Sequence, residues 1–316
     1  MPKPFFVLAP MDDVTDVVFR RIVHDCAPAD LYFTEFVNVD GLQSPGRQAL
    51  MPKLRSEHED YPVVAQLWGK NPENYYKTAL ELVEAGFAGI DINMGCPEKN
   101  IVKNGCCSAF IQPENRNLAC EVIAGVQRAV GGRVPVSVKT RLGFSEVDYS
   151  WHELLLQQNL NMLTIHGRTR KEMSKVPADW NKIQLVRELR DKLSPTTLIV
   201  GNGDVRDRAH GEQLAASHGL DGIMVGRGIF SDPFCFAAAS PWSDYNKQQK
   251  LDLLRKHVNL FTETWTNNER SFETLKKFAK VYVSGFDGAS DLRVLIMACH
   301  SAPELLILLD QISQTV

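Results

Sequence analysis

Leu198-Ile-Val-Gly-Asn-Gly-Asp204 and Asp221-Gly-Ile-Met-Val-Gly-Arg-Gly228 share one local design: a short apolar run that ends in glycines and a charged side chain. Runs this short and this apolar suit strands buried on both faces. The glycines at 201, 203, 226 and 228 let main-chain N–H groups approach an anion closely. Arg208–Ser217 between the two runs reads as a helix, so the segment is one strand–helix–strand unit.

Working outward, the same alternation reaches back to the N-terminus. Strands are expected at Phe5–Ala9, Leu31–Phe36, Val63–Leu67, Gly89–Asn93, Val134–Lys139, Met162–Ile165, Thr197–Val200 and Gly222–Val225. Helical stretches lie between them, at Pro72–Ala85, Glu114–Val130, Tyr149–Leu160, Asn181–Lys192 and Arg208–Ser217. Strand–helix units repeating every ~30 residues, eight in all, are what a (β/α)8 TIM barrel requires. A doubly wound open sheet is the runner-up, but it opens on a Gly-rich turn. Here the first strand ends in Ala9-Pro10-Met11 with no GxGxxG after it. The expected fold is therefore α/β, a TIM barrel over residues 1–240. Pro241-Trp-Ser-Asp244 reads as a linker, and Lys247–Thr264, Phe272–Val283, Leu292–Cys299 and Pro303–Ile312 as amphipathic helices. Residues 241–316 are thus expected to form a small all-helical C-terminal domain.

The strand ends carry the chemistry. In order they are Pro10-Met11, Glu35, Gln66, Asn93-Met-Gly-Cys96, Lys139-Thr-Arg141, His166-Gly-Arg168, Asn202-Gly-Asp204 and Gly226-Arg227. In a barrel these positions share one rim, where active sites are assembled. Ordinary strand ends would account for Glu35 or Asp204 singly. They account poorly for a rim that gathers Lys, Arg, His, Gln, Asn and Cys together.

The seventh and eighth strands are where barrel enzymes commonly hold phosphate, and Arg227 offers a bidentate fork there. On this evidence the ligand is a phosphorylated cofactor or substrate, FMN being one of several. Lys139 narrows the choice, because a fixed cation in the barrel mouth would stabilise a reduced flavin, anionic around N1 and the C2 carbonyl. Gln66 suits the pyrimidine edge of such a ring. Cys96 stands between Gly95 and Pro97 at an active strand end, where burial is unfavoured. A thiol of ordinary pKa, about 8.5, is mostly protonated at neutral pH and can donate a proton.

Composition bounds the rest. The 316 residues, 44% hydrophobic and 23% charged, make an ordinary globular chain, and the net charge of −3 gives no global basic signature of nucleic-acid binding. Any RNA contact must then rest on local patches. The seven cysteines include no CxxC pair and read as reduced thiols. The apolar run from Phe5 to Pro10 is too short for a signal or a membrane span. A cytoplasmic, monomeric protein is expected, and no metal.

At these residues the chain resembles the tRNA-dihydrouridine synthase family, in its bacterial form without an added RNA-binding domain. The likeness runs through Ala9-Pro-Met-Asp-Asp-Val-Thr-Asp16 with Phe19-Arg20, Thr34-Glu-Phe36, Ala65-Gln-Leu67 with Gly69, and Asp91-Ile-Asn-Met-Gly-Cys-Pro97. It continues through Val138-Lys-Thr-Arg-Leu-Gly143, His166-Gly-Arg-Thr-Arg170, Ala178-Asp-Trp180, Gly201-Asn-Gly-Asp204 and Asp221–Arg227. The resemblance implies FMN in the barrel, NADPH as electron source, and reduction of a uridine 5,6 double bond in tRNA. It implies hydride from flavin N5 to C6 and a proton from Cys96 to C5, on a base taken out of the tRNA fold. It makes Asn93 a contact to the target base; Arg141 and Lys175 are further candidates beside the substrate. Gln66, Lys139 and His166 become flavin contacts and Asn202, Gly203, Gly226 and Arg227 the flavin-phosphate site, and the strand-end residues Pro10, Met11, Arg168 and Asp204 complete the expected cofactor site.

The chain departs from the family pattern in two places. It has Gly105-Cys-Cys-Ser108 where relatives carry only Gly and Ala, and packing is the expected role of those thiols. It has Lys171-Glu-Met-Ser-Lys-Val-Pro-Ala-Asp-Trp180 where an aromatic residue is usual, and Lys175 is the candidate substitute as a phosphate contact. Residues 241–316 hold nine Lys/Arg and nine Asp/Glu, neutral overall. Arg270, Lys276, Lys277 and Lys280 nevertheless cluster, with 276 and 280 expected on one helix face, and in the family this domain grips tRNA. Two rivals remain: a flavin barrel acting on a free pyrimidine, dihydroorotate dehydrogenase-like, and a tRNA-binding protein with a secondary catalytic role.

Overall fold

The computed structural model describes residues 2–57 and 59–313. Its strands are β1 Phe5–Leu8, β2 Tyr32–Phe33, β3 Val37–Asn38, β4 Val63–Trp68, β5 Gly89–Met94, β6 Val136–Arg141, β7 Met162–His166, β8 Leu198–Asn202 and β9 Gly222–Val225. They form one parallel sheet in the order β1-β9-β8-β7-β6-β5-β4-β2, with β3 also on β4. Leu8 N bonds Leu31 O at 3.0 Å and Leu31 N bonds Phe6 O at 3.2 Å, bringing β1 back to the second stave. The sheet is thus an almost closed parallel barrel of eight staves, β2 and β3 together making one.

Alternation along each strand separates two cores. Phe5, Val7, Phe33, Val64, Met162, Val200 and Met224 fill the barrel interior. Phe6, Leu8, Ala65, Leu67, Ile90 and Ile92 face outward into the larger core beneath the helices. Helix starts after the strand-end loops are fixed by acidic or amide N-caps, which satisfy otherwise orphaned first-turn N–H groups. Asp179 accepts from Lys182 N at 3.2 Å and Asp207 from His210 N at 2.8 Å. Asn246 and Gln249 form a reciprocal capping box that opens the long helix Lys247–Thr264.

Three expectations are corrected. The strand expected at Leu31–Phe36 breaks between β2 and β3, because Glu35 turns its carboxylate to the main-chain N–H of Asp13 at 2.7 Å. The helix expected to Leu160 ends at Leu156, since Asn159 adopts left-handed backbone, φ 52°. The helix expected at Phe272–Val283 is two short helices, Phe272–Lys276 and Ala279–Tyr282. Phe278 lies between them, stacked on Phe19 of the barrel at 4.8 Å and 4.9 Å from the His257 ring.

The C-terminal helices are tied to the barrel by more than apolar packing. Arg55 donates to Thr264 O at 2.6 Å, Lys256 pairs with Asp25 at 2.8 Å, and Arg270 reaches Glu35 and Asp13 at the rim. Among the described residues no helix is long and apolar enough to cross a membrane.

Candidate active site

The ends of β1, β6, β7, β8 and β9 surround a cavity of about 610 Å³, a size within the usual range for cofactor sites. Pro10, Met11, Lys139, His166, Asn202, Gly203, Asp204, Gly226 and Arg227 line it, so nine positions named from sequence converge on one space. Val205, Arg206, Asp207, Ser231 and Asp232 also line it and were missed. The signal for Arg206 was available: an arginine three residues after Gly203, in the loop that follows β8.

The far end of the cavity suits an anion. Gly203 has φ 131°, a conformation other residues avoid, which turns the chain away immediately after β8. Asn202 Nδ2 donates to Met224 O at 2.8 Å and locks β8 to β9 beneath that turn. Arg227 is 65% exposed at the mouth, 3.6 Å from the Asp204 carboxylate, and therefore free to reach a ligand. Burial works against ionised Asp204, but Arg168, the Ala178 N–H and Arg227 hold its pKa below the usual range. Arg168 does not line the cavity. It donates to Val176 O and to Asp204, bracing the loop after β7, while its Nη1 is buried with no hydrogen-bond partner among the described residues. The unpartnered Nη1 beside Gly203, together with the glycine turns and exposed Arg227, fits a phosphate group.

Two charge-tuned groups occupy the near end. Burial and the neighbouring Arg141 push Lys139 down to about 8, and the charges of Asp91 and Cys96 keep it from falling further. It is a cation at neutral pH. His166 is held far below the usual imidazole range, first by burial and then by Arg141, Lys139, Arg168 and Arg227. It is a neutral hydrogen-bonding ring, 3.5 Å from Arg141. A neutral imidazole and a lysine cation facing a cavity of this size fit the electron-rich edge of a reduced flavin.

Cys96 lies on the turn after β5, whose residue Asn93 pairs in register with Lys139. Gly95 runs so close to β6 that a Cβ there would stand 3.2 Å from Thr140 main-chain atoms. The turn is held from both sides. Arg141 Nε donates to Gly95 O at 2.7 Å, and Asn93 Oδ1 accepts from Gly95 N at 3.0 Å and Cys96 N at 2.9 Å. Cys96 does not have an ordinary thiol. Its pKa is lowered to about 7, foremost by a hydrogen bond from the Cys107 thiol, then by the Glu98 N–H and the Arg141 charge, against burial. Cys107, expected only to pack, is fully buried at a left-handed position, φ 54°, with its sulfur against Cys96.

The remaining named residues, like Asn93 and Cys96, are not among those that line the cavity. Gln66 is fully buried, its Nε2 donating to Asp91 at 2.7 Å. Arg141 donates to Thr169 O and Met173 O and so braces the β7 loop. Lys175 is exposed in a turn of that loop. The basic cluster divides: Lys277 and Lys280 are exposed, whereas Arg270 and Lys276 are buried. Arg270 pairs with Glu35 and Asp13, and Lys276 with Glu273 and Met297 O. Neither offers its charge to an external phosphate. Lys276 and Lys280 do not share a face, because the helix breaks between them.

A family model described as dihydrouridine synthase matches residues 7–316. The "Probable tRNA-dihydrouridine synthase" of Staphylococcus aureus (strain Mu50) is 44% identical over 315 residues, 98% of this chain and 94% of that protein. The "Probable tRNA-dihydrouridine synthase 2" of Bacillus subtilis (strain 168) is 45% identical over 315 residues, with the same coverage of 98% and 94%. Among solved structures, a histamine dehydrogenase from Rhizobium sp. 4-9 aligns with TM-score 0.57 at 13% identity over 81% of this chain. A 6-hydroxypseudooxynicotine amine oxidase from Pseudomonas geniculata N1 aligns with TM-score 0.55 at 13% identity over 73%. This chain spans about half of each of those two, 48% and 46%, and the likeness is one of fold.

Proposed function

This chain belongs to the dihydrouridine synthase family, and from that premise we propose how its own residues carry out the reaction. The activity is flavin-dependent reduction of the 5,6 double bond of a uridine in tRNA. In our reading the cavity at the strand ends would hold FMN, with Gly203, Gly226 and Arg227 receiving its phosphate and Lys139 and His166 its electron-rich edge. When bound, it supplies the hydride for C6 of the base, and NADPH is the source of the electrons. Pro10 and Met11 form the apolar wall of the same space.

The chain itself supplies the proton. Negative charge that develops toward C5 and O4 of the base is quenched by the Cys96 thiol, whose main-chain turn is held by Asn93 and Arg141. Arg141 keeps a positive charge nearby that lowers the thiol pKa and stabilises the thiolate left behind, and Lys139 is a second cation close enough to feel the Cys96 charge. Asn93 has one amide hydrogen beyond those in the protein network to offer the base. Lys175, Lys277 and Lys280 are proposed phosphate contacts on the tRNA. Residues 1–240 form the catalytic domain and 241–316 the tRNA-gripping domain in this reading. It further includes a monomeric chain in a reducing cytoplasm, the latter supported by seven free thiols.

The observation that carries the reading is the convergence of Lys139, His166, Asn202, Gly203, Gly226 and Arg227 on one cavity beside the Cys96 turn. The test is turnover of unmodified tRNA and of free uridine by the FMN-loaded protein with NADPH. Dihydrouridine in tRNA alone is expected; reduction of the free pyrimidine without tRNA would overturn the reading.

A further inference from the structure

Four hydrogen-bonded side chains run beneath the barrel mouth from β6 to the Cys96 turn. Ser137 Oγ donates to Asp91 Oδ1 at 2.5 Å, and Gln66 Nε2 donates to Asp91 Oδ2 at 2.7 Å. Asn93 Nδ2 donates to Gln66 Oε1 at 2.9 Å. Asn93 Oδ1 then accepts the N–H groups of Gly95 and Cys96. Asp91 and Gln66 are fully excluded from solvent, and Asn93 nearly so, so water does not substitute for any link.

The chain has a direction. A primary amide can face a neighbour with its oxygen or its NH2, and the neighbour decides which. An ionised carboxylate only accepts, so Asp91 forces Gln66 to present NH2 to it and oxygen to Asn93. That oxygen forces Asn93 to present NH2 in return, leaving Oδ1 for the turn. Reversing either amide would set two donors face to face in a dry interior. We propose that Asp91 is a positioning residue for Cys96, fixing through Gln66 and Asn93 the amide orientation that holds the Gly95–Cys96 turn.

Burial raises the Asp91 carboxyl to about 6, and Ser137, Gln66 and Lys139 keep it from rising further, so it is ionised above neutral pH. The relay also limits what Asn93 does for substrate. Its oxygen is occupied by two main-chain groups and one amide hydrogen by Gln66, leaving a single donor. The functional weight of this proposal rests on Cys96 as the proton donor; its geometry does not.

The experiment compares Asp91→Ala with Asp91→Asn in the purified full-length chain. Asn keeps an oxygen for Gln66 and presents its NH2 to Ser137 Oγ, so the relay survives although the charge is lost. The readouts are the iodoacetamide alkylation rate of Cys96 at pH 7, followed by mass spectrometry, and kcat and KM for tRNA. Asp91→Ala is expected to slow alkylation by about fivefold, because a loosened turn loses the contacts that keep the thiolate. It is expected to lower kcat by about tenfold with KM little changed. Asp91→Asn should recover both to within about threefold of wild type. Equal impairment of the two variants would overturn the proposal, since charge rather than orientation would then be responsible. If Asp91→Ala does not fold, Gln66→Met interrupts the next link; slowed alkylation supports the relay and a wild-type rate overturns it. Undiminished turnover in Cys96→Ala would remove the acid assignment yet leave the alkylation comparison intact.

Discussion

The Cys96 thiol titrates near 7, while burial raises the pKa of Cys26, Cys106, Cys107, Cys120, Cys235 and Cys299. Alkylation at neutral pH should therefore mark Cys96 selectively, as peptide mass spectrometry would read; equal labelling of Cys120 would contradict this. A proton donor works only in its protonated form, so the chemical step should slow as pH rises through about 7. Cys107→Ala removes the main cause of the lowered pKa. The Cys96 alkylation profile and the descending limb of kcat should then both move to higher pH, and unmoved profiles would deny the contact a role. The sequence made Cys96 legible because Gly95 and Pro97 flank it at a strand end. It did not reveal the partner, because Cys107 reaches that sulfur only through a left-handed turn that spacing does not encode.

At the scale of elements, the barrel staves were readable because each is a short apolar run closed by a polar tip, and most observed strands begin and end within two residues of expectation. Periodicity failed where tertiary contacts override it. Phe272–Val283 has an amphipathic pattern throughout, yet Phe278 leaves the helix to stack on Phe19. Truncating Phe278 to Ala should cost ~3–5 kcal/mol, as for other buried aromatic residues, measured by urea unfolding. A loss below about 1 kcal/mol would show that the stack does not hold the two parts together. The Arg270–Glu35 pair links the same two parts of the molecule through different elements. Arg270→Met should destabilise by ~3 kcal/mol because it leaves the fully buried Glu35 with only the Lys53 ammonium, 3.8 Å away, as counter-charge, and adding Glu35→Gln should recover most of that. A double variant no more stable than the single would show that the pair's charges are not coupled.

For the whole molecule, the net charge of −3 leaves tRNA affinity to local features, and burial has reduced the candidate cations of the helical region to Lys277 and Lys280. Reversing both should weaken tRNA binding and reduce the slope of log K against log salt by about one per lost phosphate contact. Reversing Lys276 should instead disturb folding, because its ammonium is bonded within the helical region. Burial of this kind is invisible in a one-dimensional pattern, which is why four cations read as one footprint. The rim was legible because a barrel brings all its strand ends to one face, whatever the loops between them. The most direct test of the central claim is mass-spectrometric mapping of tRNA treated with NADPH and either FMN-loaded wild type or Cys96→Ala. We predict dihydrouridine with the first and none above background with the second, which still binds FMN and tRNA; equal dihydrouridine from both would contradict the account.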